Sequence, residues 1–142
     1  VQLYEFALGE NEGNVEMILP INGKTKMQGL SHVKHETIDE WNEGQEFEVP
    51  IKKLDTLFPE DRIQGIKIDV ENFEYFVLKG GINILEKQKP IIYAELWENQ
   101  NRDLCFELLH SLSYKAYVIE GNEIVLYDAE NHNKQNFIFK PN

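Results

Sequence analysis

The strongest constraint on the fold is an alternation of strand-like and helix-like segments that begins near residue 60. Residues 63–70 (IQGIKIDV) and 90–96 (PIIYAEL) are apolar runs of the length and composition typical of buried strands. Each is followed by apolar residues at helical spacing, over 73–78 and 101–112. Further strands are predicted at 115–119, 123–127 and 136–139. This order predicts an α/β fold with a mainly parallel sheet and a C-terminal antiparallel hairpin.

The first part of the chain has a different character, with short strand-like runs separated by turn residues. Strands are predicted at 1–8, 15–21 and 46–51, a helical turn at 54–58, and a long loop over 24–41. The sequence contains no internal repeat, Pro-rich linker or low-complexity tract between the two parts. We therefore treat residues 1–142 as a single domain, with strands and a long loop over 1–58 and an α/β core over 59–142.

Composition and charge restrict the partners. With 142 residues, 42% of them hydrophobic, the chain can bury a core, and no apolar run is long enough to cross a bilayer. The 25 acidic residues outnumber the 14 basic ones, which gives a formal net charge of −11. This charge repels phosphate backbones and anionic lipids, so we expect neither nucleic acid nor a membrane as a partner. A single cysteine, Cys105, excludes an internal disulfide and fits a cytoplasmic location.

Candidate chemistry lies where the two buried strands end, because ligands bind beyond the carboxyl ends of strands in such sheets. Asp69, Glu71 and Glu74 follow the first strand, where they could provide a general base or bind a hard cation. They could instead cap free amides at the start of the next helix, and the sequence favours capping by about two to one. Glu95 and Glu98 follow the second strand with Trp97 between them. They could line a pocket for a polar ligand or simply point into solvent, and the sequence favours neither.

Other reactive side chains have simpler interpretations. His32 and His35 have a spacing that could bind metal on a helix, but a solvated loop is favoured because nothing fixes the ligand geometry. Lys67, in the middle of a strand, could extend its amine to a sheet edge or pair with a strand-end acid. Cys105 lies on the apolar stripe of its helix and is predicted to be core. No glycine-rich phosphate-binding loop is present, and Gly80–Gly81 is interpreted as a helix break, after which the helix resumes at 82–86.

Several of these runs together resemble the C-terminal half of FkbM-type methyltransferases. The most specific is IKIDVENFEYFVLKGG (66–81), supported by LDTLF (54–58) and KPIIYAEL (89–96). The opening FALGENEGNVEM (6–17) and the closing QNFIF (135–139) are similar to the family in the same order. The resemblance implies a partial Rossmann-like fold and S-adenosylmethionine-dependent methylation, usually of a hydroxyl on a sugar, polysaccharide precursor or secondary metabolite.

The resemblance also implies roles for individual residues. Asp69 would face both the cofactor and the methyl acceptor, and Glu71 would belong to the same site. Glu95 is added to the site acids because it lies at the end of the neighbouring strand. Ala7 and Leu8 would lie near the adenine of the cofactor, and Ser31 and His32 near the acceptor. Trp97 is added to the acceptor side because it lies between two strand-end acids. No metal ligand is expected.

Two departures from the family pattern matter. The family has a glycine after the acid at Glu71, and this chain has Asn72, which tolerates a left-handed backbone better than most residues. The family's cofactor-binding glycine motif and first two strands would precede Val1, so the resemblance implies an incomplete cofactor site and a fragment that is inactive alone. The strand at 63–70 would then have a free edge. We expect residues 1–8 to pair with that edge, or a second copy of the chain to cover it.

Two other classes of function stay open from the residues alone. The chain could be a non-catalytic interaction module whose acids are caps and surface groups. It could also be a metal- or sugar-binding domain that uses Asp69, Glu71 and Glu95.

Overall fold

A computed structural model describes residues 1–38 and 41–142 and divides the chain between two mixed sheets. The first sheet contains five strands: β1 (Ala7–Leu8), β2 (Gly13–Asn22), β3 (Thr25–Lys26), β4 (His32–Val33) and β5 (Gly44–Lys52). Its order is β1-β5-β2-β3, and β4 pairs with β2. A short 3₁₀ helix (Gln28–Leu30) precedes β4. The predicted loop at 24–41 therefore contains two short strands and a helical turn, and its residues 39 and 40 lie outside the described residues.

The second sheet and four helices form the α/β core. The helices are α1 (Leu54–Leu57), α2 (Glu74–Lys79), α3 (Ile82–Gln88) and α4 (Gln100–Ser111). The strands are β6 (Gly65–Ile68), β7 (Ile91–Glu95), β8 (Tyr114–Glu120), β9 (Glu123–Leu126) and β10 (Asn136–Pro141), in the order β6-β7-β10-β8-β9. The predicted elements from residue 54 onward are all present, with ends that differ by a few residues.

The expectation of a mainly parallel sheet is not confirmed. Among the described strands, β6 and β7 pair in parallel, and so do β1 and β5, whereas every other pair is antiparallel. The reason lies in the last third of the chain. After α4 the chain forms the β8–β9 hairpin and returns as β10 between β7 and β8, and such returns give antiparallel neighbours.

The core lies on one face of the second sheet. Side chains that alternate along its strands are buried against the helices: Ile68, Ile92, Ala94, Val118, Phe137 and Phe139. The opposite face carries a row of residues paired across all five strands: Lys67, Tyr93, Ile138, Tyr117 and Leu126. This face is more exposed, since Leu126 keeps 57% of its surface and the side chain of Lys67 keeps 63%. One-sided burial is the usual state of an antiparallel sheet.

The opening segment does not pair with β6, so that expectation is wrong. Only residues 7 and 8 of the predicted strand form β1, and β1 pairs with β5. The Gly9 N–H extends this pairing by donating to the Lys52 carbonyl over 3.0 Å. In the described part of the chain, β6 pairs with β7 on one side and with no strand on the other. Coverage of this free edge by a second copy of the chain stays a prediction.

Two contacts connect α1, α2, α3 and the first sheet. Asp55 in α1 accepts hydrogen bonds at the start of α3, from the Asn83 and Ile84 amides over 3.0 Å each and from Asn83 Nδ2 over 2.9 Å. Its carboxylate therefore acts as the N-terminal cap of a neighbouring helix. At the end of α2, Gly80 lies so close to the carbonyl oxygen of Gly9 that any side chain there would overlap it. Gly80 is thus a close-packing position, consistent with a helix break rather than a phosphate-binding loop.

Candidate functional site

The predicted site residues Asp69 and Glu95 are neighbours at the carboxyl ends of the parallel pair β6 and β7. Each lies one residue beyond the registered pair Ile68–Ala94. They share the more exposed face of the second sheet with Lys67, whose Nζ lies 2.7 Å from Asp69 Oδ2. The mid-strand lysine therefore pairs with a strand-end acid, one of the two arrangements that the sequence left open. This exposed ion pair also raises the pKa of Lys67, first through its hydrogen bond to Asp69.

A tight turn connects β6 to α2 and presents Glu71. Glu71 and Asn72 both have left-handed backbones, with φ of 52° and 73°. Two consecutive non-glycine residues in this region are strained, and such strain is concentrated at functional sites. Asn72 therefore adopts the conformation that suits the family's glycine, as expected from its tolerance of this region. The turn also explains why β6 ends at Ile68, two residues earlier than predicted.

The environment of Glu71 raises the pKa of its carboxyl, as expected for a general base. Partial burial raises the pKa of its carboxyl, and the nearby negative charges of Asp69 and Glu95 raise it further. His32 acts in the opposite direction as a nearby positive charge. The charges of three other predicted site residues, Asp69, Glu95 and His32, thus all act on the Glu71 carboxyl.

Glu74 stabilises the turn before α2 from within, and no side chain caps the first residue of that helix. Its side chain is 3% exposed, and Oε1 accepts the Val70 amide over 3.1 Å. Burial raises the pKa of this carboxyl, while hydrogen bonds from the backbone amides of Glu74, Val70 and Asn72 partly oppose the rise. Of the acids after β6, Glu74 therefore has a structural role, because it accepts a hydrogen bond within the turn. Glu71 makes no such bond and stays the candidate for chemistry.

Two asparagines at the start of α4 hold the same turn from outside. Asn99 Nδ2 donates to Asn72 Oδ1 over 2.8 Å, and Asn101 Nδ2 donates to the Asn72 carbonyl over 3.0 Å. Asn99 also caps α4, since its Oδ1 accepts the Arg102 amide over 3.2 Å. Sequence reasoning missed both residues because it began the helix at 101. An asparagine just before an apolar helical stripe was the available signal.

The structure places the remaining predicted residues in several elements, and His32 alone among them acts on the Glu71 carboxyl. His32 is 3% exposed, and its Nδ1 and Nε2 lie 2.9 and 3.2 Å from the Leu30 carbonyl and Asn42 Oδ1. Ser31 precedes it and uses its Oγ to donate to the Gln28 carbonyl over 3.0 Å. Trp97 is half-buried, two residues beyond β7. Ala7 and Leu8 are half-buried in the first sheet, and no described contact brings them to Asp69. Their cofactor role stays a prediction.

The metal-binding alternatives receive no support from the geometry. Within residues 1–38 and 41–142, no three His, Cys, Asp or Glu side chains lie close enough to hold an ion. His32 and His35 do not share a helix face, because His32 belongs to β4 and the His35 ring packs 4.3 Å from the ring of Phe76, centroid to centroid. Cys105 is fully buried, as predicted for a core residue, and burial raises the pKa of its thiol.

A groove of about 770 Å³ runs along α4 from the end of β7. Its lining combines carboxylates, aromatic rings and one cation: Glu98, Asn99, Arg102, Asp103, Phe106, Glu107 and Tyr127. The Arg102 guanidinium donates to the Tyr127 hydroxyl over 2.8 Å and lies 4.9 Å from the centre of the Phe137 ring. Asn99, one of the lining residues, also donates to Asn72 of the turn that follows β6.

The comparisons with known proteins assign the chain to a class. The model of the Methyltransferase FkbM domain matches residues 2–125, and the chain belongs to that family. Membership indicates a methyltransferase. No curated protein and no solved structure matches the chain significantly. No helix in the described parts of the chain is long and apolar enough to span a membrane.

Proposed function

We propose that the site at the ends of β6 and β7 performs S-adenosylmethionine-dependent methylation of a hydroxyl oxygen. The observation that carries the proposal is the Glu71 carboxyl, which a strained turn holds beside Asp69 and Glu95 with a raised pKa. A carboxylate with a raised pKa is a better general base near neutral pH than an ordinary one. Methyl transfer to a hydroxyl needs such a base to accept the proton that the oxygen loses.

The cofactor side of the proposal rests on charge and on family membership. Methyltransferases of this kind generally use S-adenosylmethionine, which supplies a methyl group on a cationic sulfonium when bound. The donor set fits that chemistry, since Asp69, Glu71 and Glu95 form an anionic cluster that favours a cation. Asp69, together with Ala7 and Leu8, would hold the cofactor. Glu71 would take the hydroxyl proton, and Asp69 and Glu95 would keep its carboxyl basic.

The acceptor side of the proposal rests on the groove beside α4. Phe106 and Tyr127 offer flat apolar surfaces, and Glu98, Asp103 and Glu107 offer acceptors for hydroxyl hydrogens. This combination suits a polyhydroxylated ring, so we propose a sugar or a sugar-like secondary metabolite as the methyl acceptor. Ser31, His32 and Trp97 would complete the acceptor side. We further propose that the protein acts in the cytoplasm, where its single cysteine stays reduced.

An NMR titration with S-adenosylhomocysteine tests the cofactor site. Because the resemblance implies an incomplete cofactor site, we expect weak binding, with amide shift changes at millimolar ligand at Ala7, Leu8 and Asp69 through Glu71, and none at the β8–β9 hairpin. Asp69→Asn is the matched variant, since it keeps the size of the side chain and removes its charge, and it should weaken binding at least ~10-fold. Shift changes confined to the groove would favour a sugar-binding module instead. No localised change at millimolar ligand would contradict the proposed cofactor residues.

A further inference from the structure

The Glu71–Asn72 turn is held by groups from outside its own segment. Its backbone places two non-glycine residues at φ of 52° and 73°, a conformation that costs about 1–2 kcal/mol per residue. Asn72 is 4% exposed, and side chains of the protein donate hydrogen bonds to its side chain and its carbonyl. The turn persists because its surroundings over-determine it.

The supporting groups come from the start of α4. Asn99 Nδ2 binds the side chain of Asn72 over 2.8 Å, and Asn101 Nδ2 binds its backbone carbonyl over 3.0 Å. Asn101 Nδ2 also donates to Thr37 Oγ1 over 3.2 Å. Both donors of Asn101 are therefore committed, one of them to the turn.

This arrangement has a cost that packing alone does not explain. Asn101 is 3% exposed, and its Oδ1 has no hydrogen-bond partner among the described residues. A buried acceptor without a partner costs about 1–3 kcal/mol. The Nδ2 of the same amide donates to the turn. We therefore interpret the unpaired Oδ1 as the cost of placing this donor against the turn.

We propose that Asn99 and Asn101 are positioning residues for Glu71. They hold Asn72 in the left-handed backbone that glycine would adopt unaided, and so keep the Glu71 carboxyl beside Asp69, Glu95 and His32. The inference rests on the proposed function only for the use made of Glu71. The positioning itself is a property of the turn and can be tested without any cofactor.

The test is a ¹³C NMR pH titration of the Glu71 carboxyl in the wild type, Asn99→Ala and Asn99→Ser. Serine keeps a cap for α4 but is too short to span to Asn72 Oδ1. We expect both variants to lower the Glu71 midpoint by about 0.5 pH unit or more, because the relaxed carboxyl is better solvated and farther from the other acids. Gln100→Ala, an exposed change at the same helix end, should leave the midpoint unchanged.

A second background separates positioning from capping. In Asn72→Gly the turn no longer needs a side-chain partner, since glycine adopts positive φ freely. Adding Asn99→Ala to that background should still lower stability through the lost cap, yet leave the Glu71 midpoint in place. A midpoint that shifts equally in both backgrounds, or in neither, would overturn the inference. If the midpoint behaves as expected but S-adenosylhomocysteine fails to bind, the proposed function fails and the positioning stands.

Discussion

Replacing Gly80 with alanine should lower the free energy of unfolding by about 3 kcal/mol or more. Gly80 has φ of −71° and ψ of −9°, so alanine fits its backbone and would by propensity alone stabilise the end of α2 by up to about 1 kcal/mol. The steric term is larger, because the added Cβ would overlap the Gly9 carbonyl oxygen. That oxygen belongs to backbone held by the Gly9–Lys52 hydrogen bond and cannot move independently.

Urea unfolding of the wild type, Gly80→Ala and Gly29→Ala would measure this effect. Gly29 is the matched control, since an added Cβ there meets nothing within 4 Å. We expect Gly29→Ala to stay within about 0.5 kcal/mol of the wild type. A Gly80→Ala protein as stable as the Gly29→Ala protein would show that the contact between β1 and α2 is looser than the structure indicates.

Replacing Glu74 with alanine should cost about 2–4 kcal/mol, because the Val70 amide would lose its partner inside the protein. Glutamine is the informative comparison. It keeps an oxygen for that amide, has nearly the same volume and carries no charge. We therefore expect Glu74→Gln to lose far less stability than Glu74→Ala. Equal losses would mean that the charge, and not the hydrogen bond, holds the turn.

The same pair of variants tests the pKa of Glu74 through the pH dependence of stability. Burial raises this pKa in the folded protein, so the folded state holds a proton that the unfolded state has released. The free energy of unfolding should therefore fall as pH rises from the ordinary glutamate pKa through the raised one. Glu74→Gln should show a shallower fall, with the remaining slope due in part to Glu71. An unchanged slope would assign the pH dependence to other groups.

Periodicity and strand-end rules predicted much of the α/β core. Apolar runs and helical spacing located every element from residue 54 onward, because those segments bury one face or both. The same rules placed Asp69 and Glu95 together, since they depend only on two parallel strands ending at one edge. Sheet direction was not predictable this way, because the position of β10 between β7 and β8 depends on long-range pairing that leaves no local pattern.

The details that organise the site were harder to predict because they depend on tertiary contacts. Sequence alone could not tell which acid after β6 has a structural role and which could act in chemistry. A helix cap and a general base are expected at the same position and can be the same residue type. What separates them is burial and a hydrogen bond to Val70 for Glu74, and neighbouring charges for Glu71. The contacts from Asn99 and Asn101 to Asn72 span 27 and 29 residues, so local pattern could not reveal them.

The central claim is that Glu71 faces the position at which the methyl group is transferred. The most direct test is the titration midpoint of the Glu71 carboxyl, measured by ¹³C NMR with S-adenosylmethionine and again with S-adenosylhomocysteine. The two ligands differ by a methyl group and a positive charge on sulfur. If Glu71 lies beside that sulfur, the cationic ligand should lower the midpoint relative to the neutral one, because a nearby opposite charge favours the carboxylate. The same midpoint with both ligands would contradict the claim.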